Sequence, residues 1–127
     1  MKKILFAGAE AMPFAATGGL GDVLGALPSA LTSVHPDWDV RVVIPLYAQV
    51  GQEWRDKMTF ETSITVRLAW REQYCGIYSL NYKGVKYYFL DNEYYFKRAS
   101  LYGAMDDPER FAFFSRAVLE IIPYIDY

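Results

Sequence analysis

A chain of 127 residues has room for one domain with a real core, and its 53% apolar and 22% charged fractions are those of an ordinary globular protein. A net charge of −2 with no basic run leaves no electrostatic footprint for nucleic acid, and no apolar run approaches membrane-spanning length. The single cysteine, Cys75, has no partner for an internal disulfide, which suits a reducing cytoplasm.

Met1-Lys2-Lys3 leads straight into Ile4, Leu5, Phe6 and Ala7, an apolar run that suits a buried strand and is too short for a signal peptide. Residues 10–16 read as loop, broken by Pro13. Thr17 is placed to cap a helix that starts in Gly18, Gly19 and Gly21. The helical signal is Leu20, Val23, Leu24, Leu27 and Leu31. A strand feeding a glycine-rich turn and then a helix is how open α/β sheets build an anion site. Glycine lets the backbone approach a ligand, and the free N–H groups at the helix start favour negative charge. The spacing alone is unspecific. Gly19-x-Gly21-x-x-x-Gly25 is one residue longer than the dinucleotide fingerprint, and no Gly-Lys-Ser/Thr closes it as a phosphate loop would.

Pro28 predicts a kink or a fresh helical turn, continuing to about Val34, and His35-Pro36-Asp37 ends the helix. Val40, Arg41, Val42, Val43 and Ile44 form a second strand stopped by Pro45. The strand–helix–strand order argues for a parallel pair with a right-handed crossover. From Phe60 the pattern changes to strict alternation through Trp70. A second run covers 74–82 and a third 85–90, joined by a Lys83-Gly84 hairpin turn. These runs read as an antiparallel meander joined to the parallel sheet. Residues 91–103 lack a period and read as a long loop, a class often functional. The last helix has Asp107 as cap, Pro108 at its first position and Glu109 favouring the dipole. Its apolar stripe is Phe111, Phe114, Val118, Ile121 and Ile125, widened by Ala112, Phe113 and Ala117. No strand follows, so the fold reads as a truncated α/β unit. An open strand edge or helix face is then expected to drive self-association.

At Thr17-Gly18-Gly19-Leu20-Gly21-Asp22-Val23, followed by Gly25-Ala26-Leu27-Pro28, the chain resembles the N-terminus of bacterial glycogen synthases and plant starch synthases, glycosyltransferase family 5. The likeness continues through Val40-Arg41-Val42-Val43-Ile44-Pro45-Leu46-Tyr47. It resumes at Tyr95-Phe96-Lys97-Arg98, Leu101-Tyr102-Gly103, Asp106-Asp107, Arg110-Phe111 and Phe113-Phe114-Ser115-Arg116. The resemblance implies a Rossmann-like N-terminal domain of a two-domain GT-B enzyme, with residues 1–127 as part of it and the C-terminal nucleotide-binding domain absent. It implies glucose transfer from ADP-glucose to the non-reducing end of an α-1,4-glucan, with retention of configuration, in a bacterial cytoplasm. Neither a metal nor another cofactor is implied, nor a membrane or nucleic-acid partner. Two departures stand out. Ala16 occupies the place of a family lysine that contacts the sugar nucleotide, and a His-Asp-Trp-His stretch expected soon after Tyr127 is missing.

The substrate-binding residues so implied are Glu10, Thr17, Gly18, Gly19, Asp22 and Tyr102. Each has a plainer reading beside the functional one. Gly18 and Gly19 either admit a ligand or only permit a tight turn. Asp22 either accepts sugar hydroxyls or complements the helix dipole. Glu10 lies where α/β sheets place ligands, yet a carboxylate there also braces a loop. Tyr102 offers a sugar ring a flat face and a hydroxyl, or simply packs as one of 11 tyrosines. Arg98 and Arg110 pair with an anion or form surface ion pairs of little consequence. His35 reads as a helix end and Cys75 as inert packing. One His and one Cys cannot build a zinc site, and no residue is assigned a catalytic role. The competing function is a non-catalytic carbohydrate- or nucleotide-binding domain. An oxidoreductase module is disfavoured by the glycine spacing and by Pro45 where the second strand should end on an acidic residue.

Overall fold

The computed structural model describes residues 2–127. Five strands form one mixed sheet: β1 (Lys3–Ala7), β2 (Asp39–Pro45), β3 (Thr59–Leu68), β4 (Arg71–Tyr82) and β5 (Val85–Asp91). Their order across the sheet is β1-β2-β5-β4-β3. The pairs β1–β2 and β2–β5 are parallel, while β5–β4 and β4–β3 are antiparallel. The meander therefore joins the parallel part through β5. Lys83 and Gly84 both have positive φ, 50° and 77°, the backbone of a two-residue hairpin whose twist matches its strands.

Successive residues of a strand face opposite sides, and β5 shows both layers. Tyr87 points to helix α1 (Gly19–Val34), its hydroxyl 3.1 Å from the Leu24 carbonyl. Tyr88 points the other way, toward the chain end at Ile125. On the α1 side, Phe14 plunges from the loop after β1 into rings of Tyr82, Tyr87, Phe89 and Trp54, the last from the short helix α2 (Gln52–Arg55). Edge-on packing of this kind explains much of the aromatic content as core. The Cys75 thiol is buried, and burial pushes its pKa up to about 12, so it is inert packing. His35 follows α1 and stacks on Trp38 with ring centres 3.7 Å apart.

Four expectations change. Residues 91–103 are not wholly loop: the Asn92 side chain accepts the Tyr95 N–H at 3.0 Å and starts a helical turn, α3 (Glu93–Phe96). Helix α4 (Asp107–Ile121) is capped at Asp106, and Asp107 instead takes N–H groups of the preceding loop. The α4 stripe is covered within this chain: Phe113, Phe114, Ala117, Val118 and Ile121 are buried, and Phe111 is half-buried. α4 packs on β3, so its stripe is not the open apolar face expected, while β1 lies at the edge of the sheet. Finally, α1 runs unbroken through Pro28 and buries Gly21, Leu24 and Pro28, while Leu20, Val23 and Leu27 are exposed. The apolar spacing found the helix but not the face that packs. Among the described residues, no helix is long and apolar enough to cross a membrane.

Candidate functional site

Glu10 sits just past the carboxyl end of β1, with its side chain turned inward and 2% exposed. Oε1 accepts the backbone N–H of Thr17 (3.2 Å), Gly18 (3.1 Å) and Gly21 (3.0 Å). Oε2 accepts the Thr17 hydroxyl at 2.8 Å and the Tyr102 hydroxyl at 2.7 Å. Burial opposes the charge on this carboxylate, but hydrogen bonds from Tyr102, Thr17 and Gly18 outweigh it and hold the pKa at about 2. The chain thus fills much of its own anion cradle with a carboxylate. Thr17 is no helix cap; α1 is capped by Gly18 without a side-chain bond, and the Thr17 hydroxyl is spent on Glu10. The N–H groups expected for a ligand divide accordingly. Those of Gly18 and Gly21 are taken, while those of Gly19 and Leu20, in the first turn of α1, have no partner among the described residues.

The glycines separate in the same way. A Cβ on Gly21 would lie 2.4 Å from the Ala16 Cβ and 3.0 Å from Glu10 Oε1; on Gly25 it would meet the Met12 carbonyl oxygen at 2.7 Å. These two glycines let the chain close on itself. Beyond Gly18 and Gly19 nothing lies within 4 Å, so the chain's own packing gives no reason for either to lack a side chain.

Tyr102 is held from both sides. Its hydroxyl reaches Glu10, and its ring lies 5.8 Å from that of Phe111 on α4. Burial, together with the negative Glu10 it donates to, pushes its phenol well above the ordinary range. Tyr47, fully buried, donates to the Ala9 carbonyl at 2.7 Å and fixes the loop that carries Glu10. Arg98 forms a two-pronged pair with Asp106 at 2.9 and 2.8 Å and also holds the Tyr94 carbonyl, which anchors the segment leading to Tyr102.

Of the two readings for Arg110, a pair with an anion or a surface ion pair, the structure shows a buried pair with the Asp107 carboxylate. Arg110 is completely buried and bonds the Tyr95 carbonyl (2.6 Å), the Leu101 carbonyl (3.0 Å) and Asp107 Oδ1 (2.8 Å). The one available signal was the spacing of Asp107 and Arg110, which puts them on neighbouring turns of a helix. Gly21 and Tyr47 also belong to the site, and no sequence pattern pointed to their contacts.

The structure therefore brings Glu10, Thr17, Gly18 and Tyr102 together, with Gly19 beside them at the helix start. Asp22 stands apart. It is exposed, its side chain makes no hydrogen bond among the described residues, and it borders a shallow apolar groove with Val23, Ala26, Leu27 and Ala30. A separate cavity of about 500 Å³ is lined by Leu46, Arg55, Met58, Tyr78, Asp91 and Lys97 among others, and none of the six candidate residues reaches it.

Residues 3–127 match the family model for the starch synthase catalytic domain. The chain is 53% identical over 125 residues to a glycogen synthase of Anoxybacillus flavithermus, covering 98% of this chain and 25% of that protein. It is 56% identical over 122 residues to a glycogen synthase of Clostridium novyi, covering 96% of this chain and 25% of that protein. The chain thus spans about a quarter of the length of the curated relatives it matches. Among solved structures, the catalytic domain of starch synthase IV from Arabidopsis thaliana, bound to ADP and acarbose, superposes with a TM-score of 0.81 at 28% identity. That match covers 96% of this chain and 25% of the other. By these matches over nearly its whole length, this protein belongs to the starch synthase catalytic domain family, glycosyltransferase family 5.

Proposed function

We propose that this chain forms the N-terminal part of a bacterial, cytoplasmic glycogen synthase that moves glucose from ADP-glucose to the non-reducing end of an α-1,4-glucan with retention. Thr17, Gly18, Gly19, Asp22 and Tyr102 face its substrates, and Glu10, turned inward, braces the turn from behind. The observation that carries the reading is the meeting of Tyr102 with the glycine turn through Glu10, across 92 residues of sequence, in a chain 53% identical to a glycogen synthase. In this role the chain binds and orients. The N–H groups of Gly19 and Leu20 are the backbone donors left for an anionic ligand, and the open space at Gly18 and Gly19 lets one come close. Glu10 holds the turn in shape through three N–H bonds, and Tyr102 presents a ring and a hydroxyl to a sugar.

The cleft of such an enzyme is completed by a second domain, so the chain alone is expected to transfer no glucose. Incubating the pure chain with labelled ADP-glucose and glycogen tests this; measurable incorporation would show that it is not half of a site. A second reading, a binding domain without catalysis, is favoured by Ala16 in the place of the family lysine. Adding a second family domain in trans or by fusion separates the two, because only the synthase reading predicts that transfer appears.

A further inference from the structure

We propose that Asp107 and Arg110 of α4 form a positioning device for Tyr102, gripping the chain on either side of that residue and so setting the reach of its hydroxyl to Glu10. The inference rests on the reading of Tyr102 as a ligand-facing group. The geometry is specific. Arg110 Nη1 donates to the carbonyl of Leu101, the residue before Tyr102, at 3.0 Å. Asp107 Oδ2 accepts the N–H of Gly103, the residue after it, at 2.8 Å, and Oδ1 accepts the Ala104 N–H at 3.1 Å. The two side chains join each other at 2.8 Å. Gly103 has φ +95°, a left-handed turn that glycine adopts without steric cost and an ordinary residue avoids.

The Arg110 Nε bond to the Tyr95 carbonyl at 2.6 Å ties the clamp to α3, so the grip is referenced to the core rather than to the loop alone. Stability by itself does not account for this arrangement. A fully buried guanidinium is expensive to desolvate, and Arg110 Nη2 has no hydrogen-bond partner among the described residues. A planar fork that reaches two carbonyls and a carboxylate at once is what arginine supplies and lysine does not.

Glu10 reports on the clamp without any ligand, which separates this test from the question of what the site binds. Tyr102 and Tyr47 are the titratable groups around it, and Tyr47 sits in the combined field of Tyr102, Arg110, Glu10 and Asp107. The Glu10 carboxyl carbon is followed by NMR as pH falls from about 7 to about 3, in the wild type, Tyr102→Phe, Arg110→Lys and the double variant, with circular dichroism to verify folding. The wild type is expected to show no midpoint in that window, and Tyr102→Phe to bring one up toward the ordinary 4.5. The proposal expects Arg110→Lys to raise the midpoint in the same direction, and Tyr102→Phe to add nothing further in that background. A folded Arg110→Lys protein with Glu10 still at its wild-type value overturns it, as does full additivity. If Arg110→Lys does not fold, Asp107→Asn, which weakens the grip on Gly103 and Ala104, is read by the same two criteria.

Discussion

The Tyr87 hydroxyl donates to the Leu24 carbonyl at 3.1 Å, and that oxygen is the one Pro28 leaves without its helical partner. Proline has no N–H, so the carbonyl four residues earlier in a helix is orphaned. Here a tyrosine from β5 fills the gap in the buried layer, and α1 continues through Pro28. Tyr87→Phe should therefore lower stability by about 1–3 kcal/mol, the cost of an unsatisfied buried acceptor. The cost should shrink in a Pro28→Ala background, where the helix supplies its own donor. Urea denaturation of the four proteins measures this coupling, and equal costs in both backgrounds would refute it.

Glu10 makes the fold acid-sensitive in a defined window. Its folded pKa of about 2 lies below the ordinary 4.5, so its contribution is complete above pH 4.5 and is lost as pH falls toward 2. A shift of that size corresponds to about 3 kcal/mol. Glu10→Gln should be less stable than the wild type by about that order at pH 7, with the gap narrowing as the medium is acidified below 4.5. Thermal melts across that range that stay parallel would show that the carboxylate's charge does not brace the turn.

The glycines should divide into two groups. Gly21→Ala places a methyl against Ala16 and Glu10, in a spot with no room to shift, and should cost about 1–3 kcal/mol. Gly19→Ala meets only open space at the first position of α1 and should leave the melting temperature unchanged or slightly raised. If Gly19→Ala instead destabilises as much as Gly21→Ala, the space beyond Gly19 is not free.

Ala16→Lys places a cation where the resemblance to glycosyltransferase family 5 implies a lysine. Assayed together with a second family domain, the variant should bind ADP-glucose more tightly by about 1.5–3 kcal/mol, roughly ten- to a hundredfold, as a charge-assisted contact provides. Titration calorimetry showing equal or weaker binding would mean that another group already neutralises the diphosphate.

Much of the fold could be read from local pattern alone. Strict alternation after Phe60 marked β3, the Lys83-Gly84 pair marked the hairpin, and Pro108 marked the start of α4, because each signal belongs to a few adjacent residues. The family, too, was legible in the run from Thr17 to Pro28, since motif residues keep their spacing whatever they touch. Spacing cannot say which of two apolar faces meets a neighbour. Leu20, Val23 and Leu27 were thus the signal for α1 yet are exposed, while Gly21 and Leu24 are buried. Nor can spacing say what fills an anion cradle, where Glu10, Thr17 and Gly21 of one turn are joined by Tyr102 from 92 residues away. Arg110 stayed open between an anion partner and a surface ion pair because only folding places three acceptors around it. The sequence determined the elements and the kinship through short-range periodicity and turn chemistry. The tertiary structure alone decided the partners at the site, because a hydrogen bond depends on positions in space that residues 92 apart reach only when the sheet has brought them together.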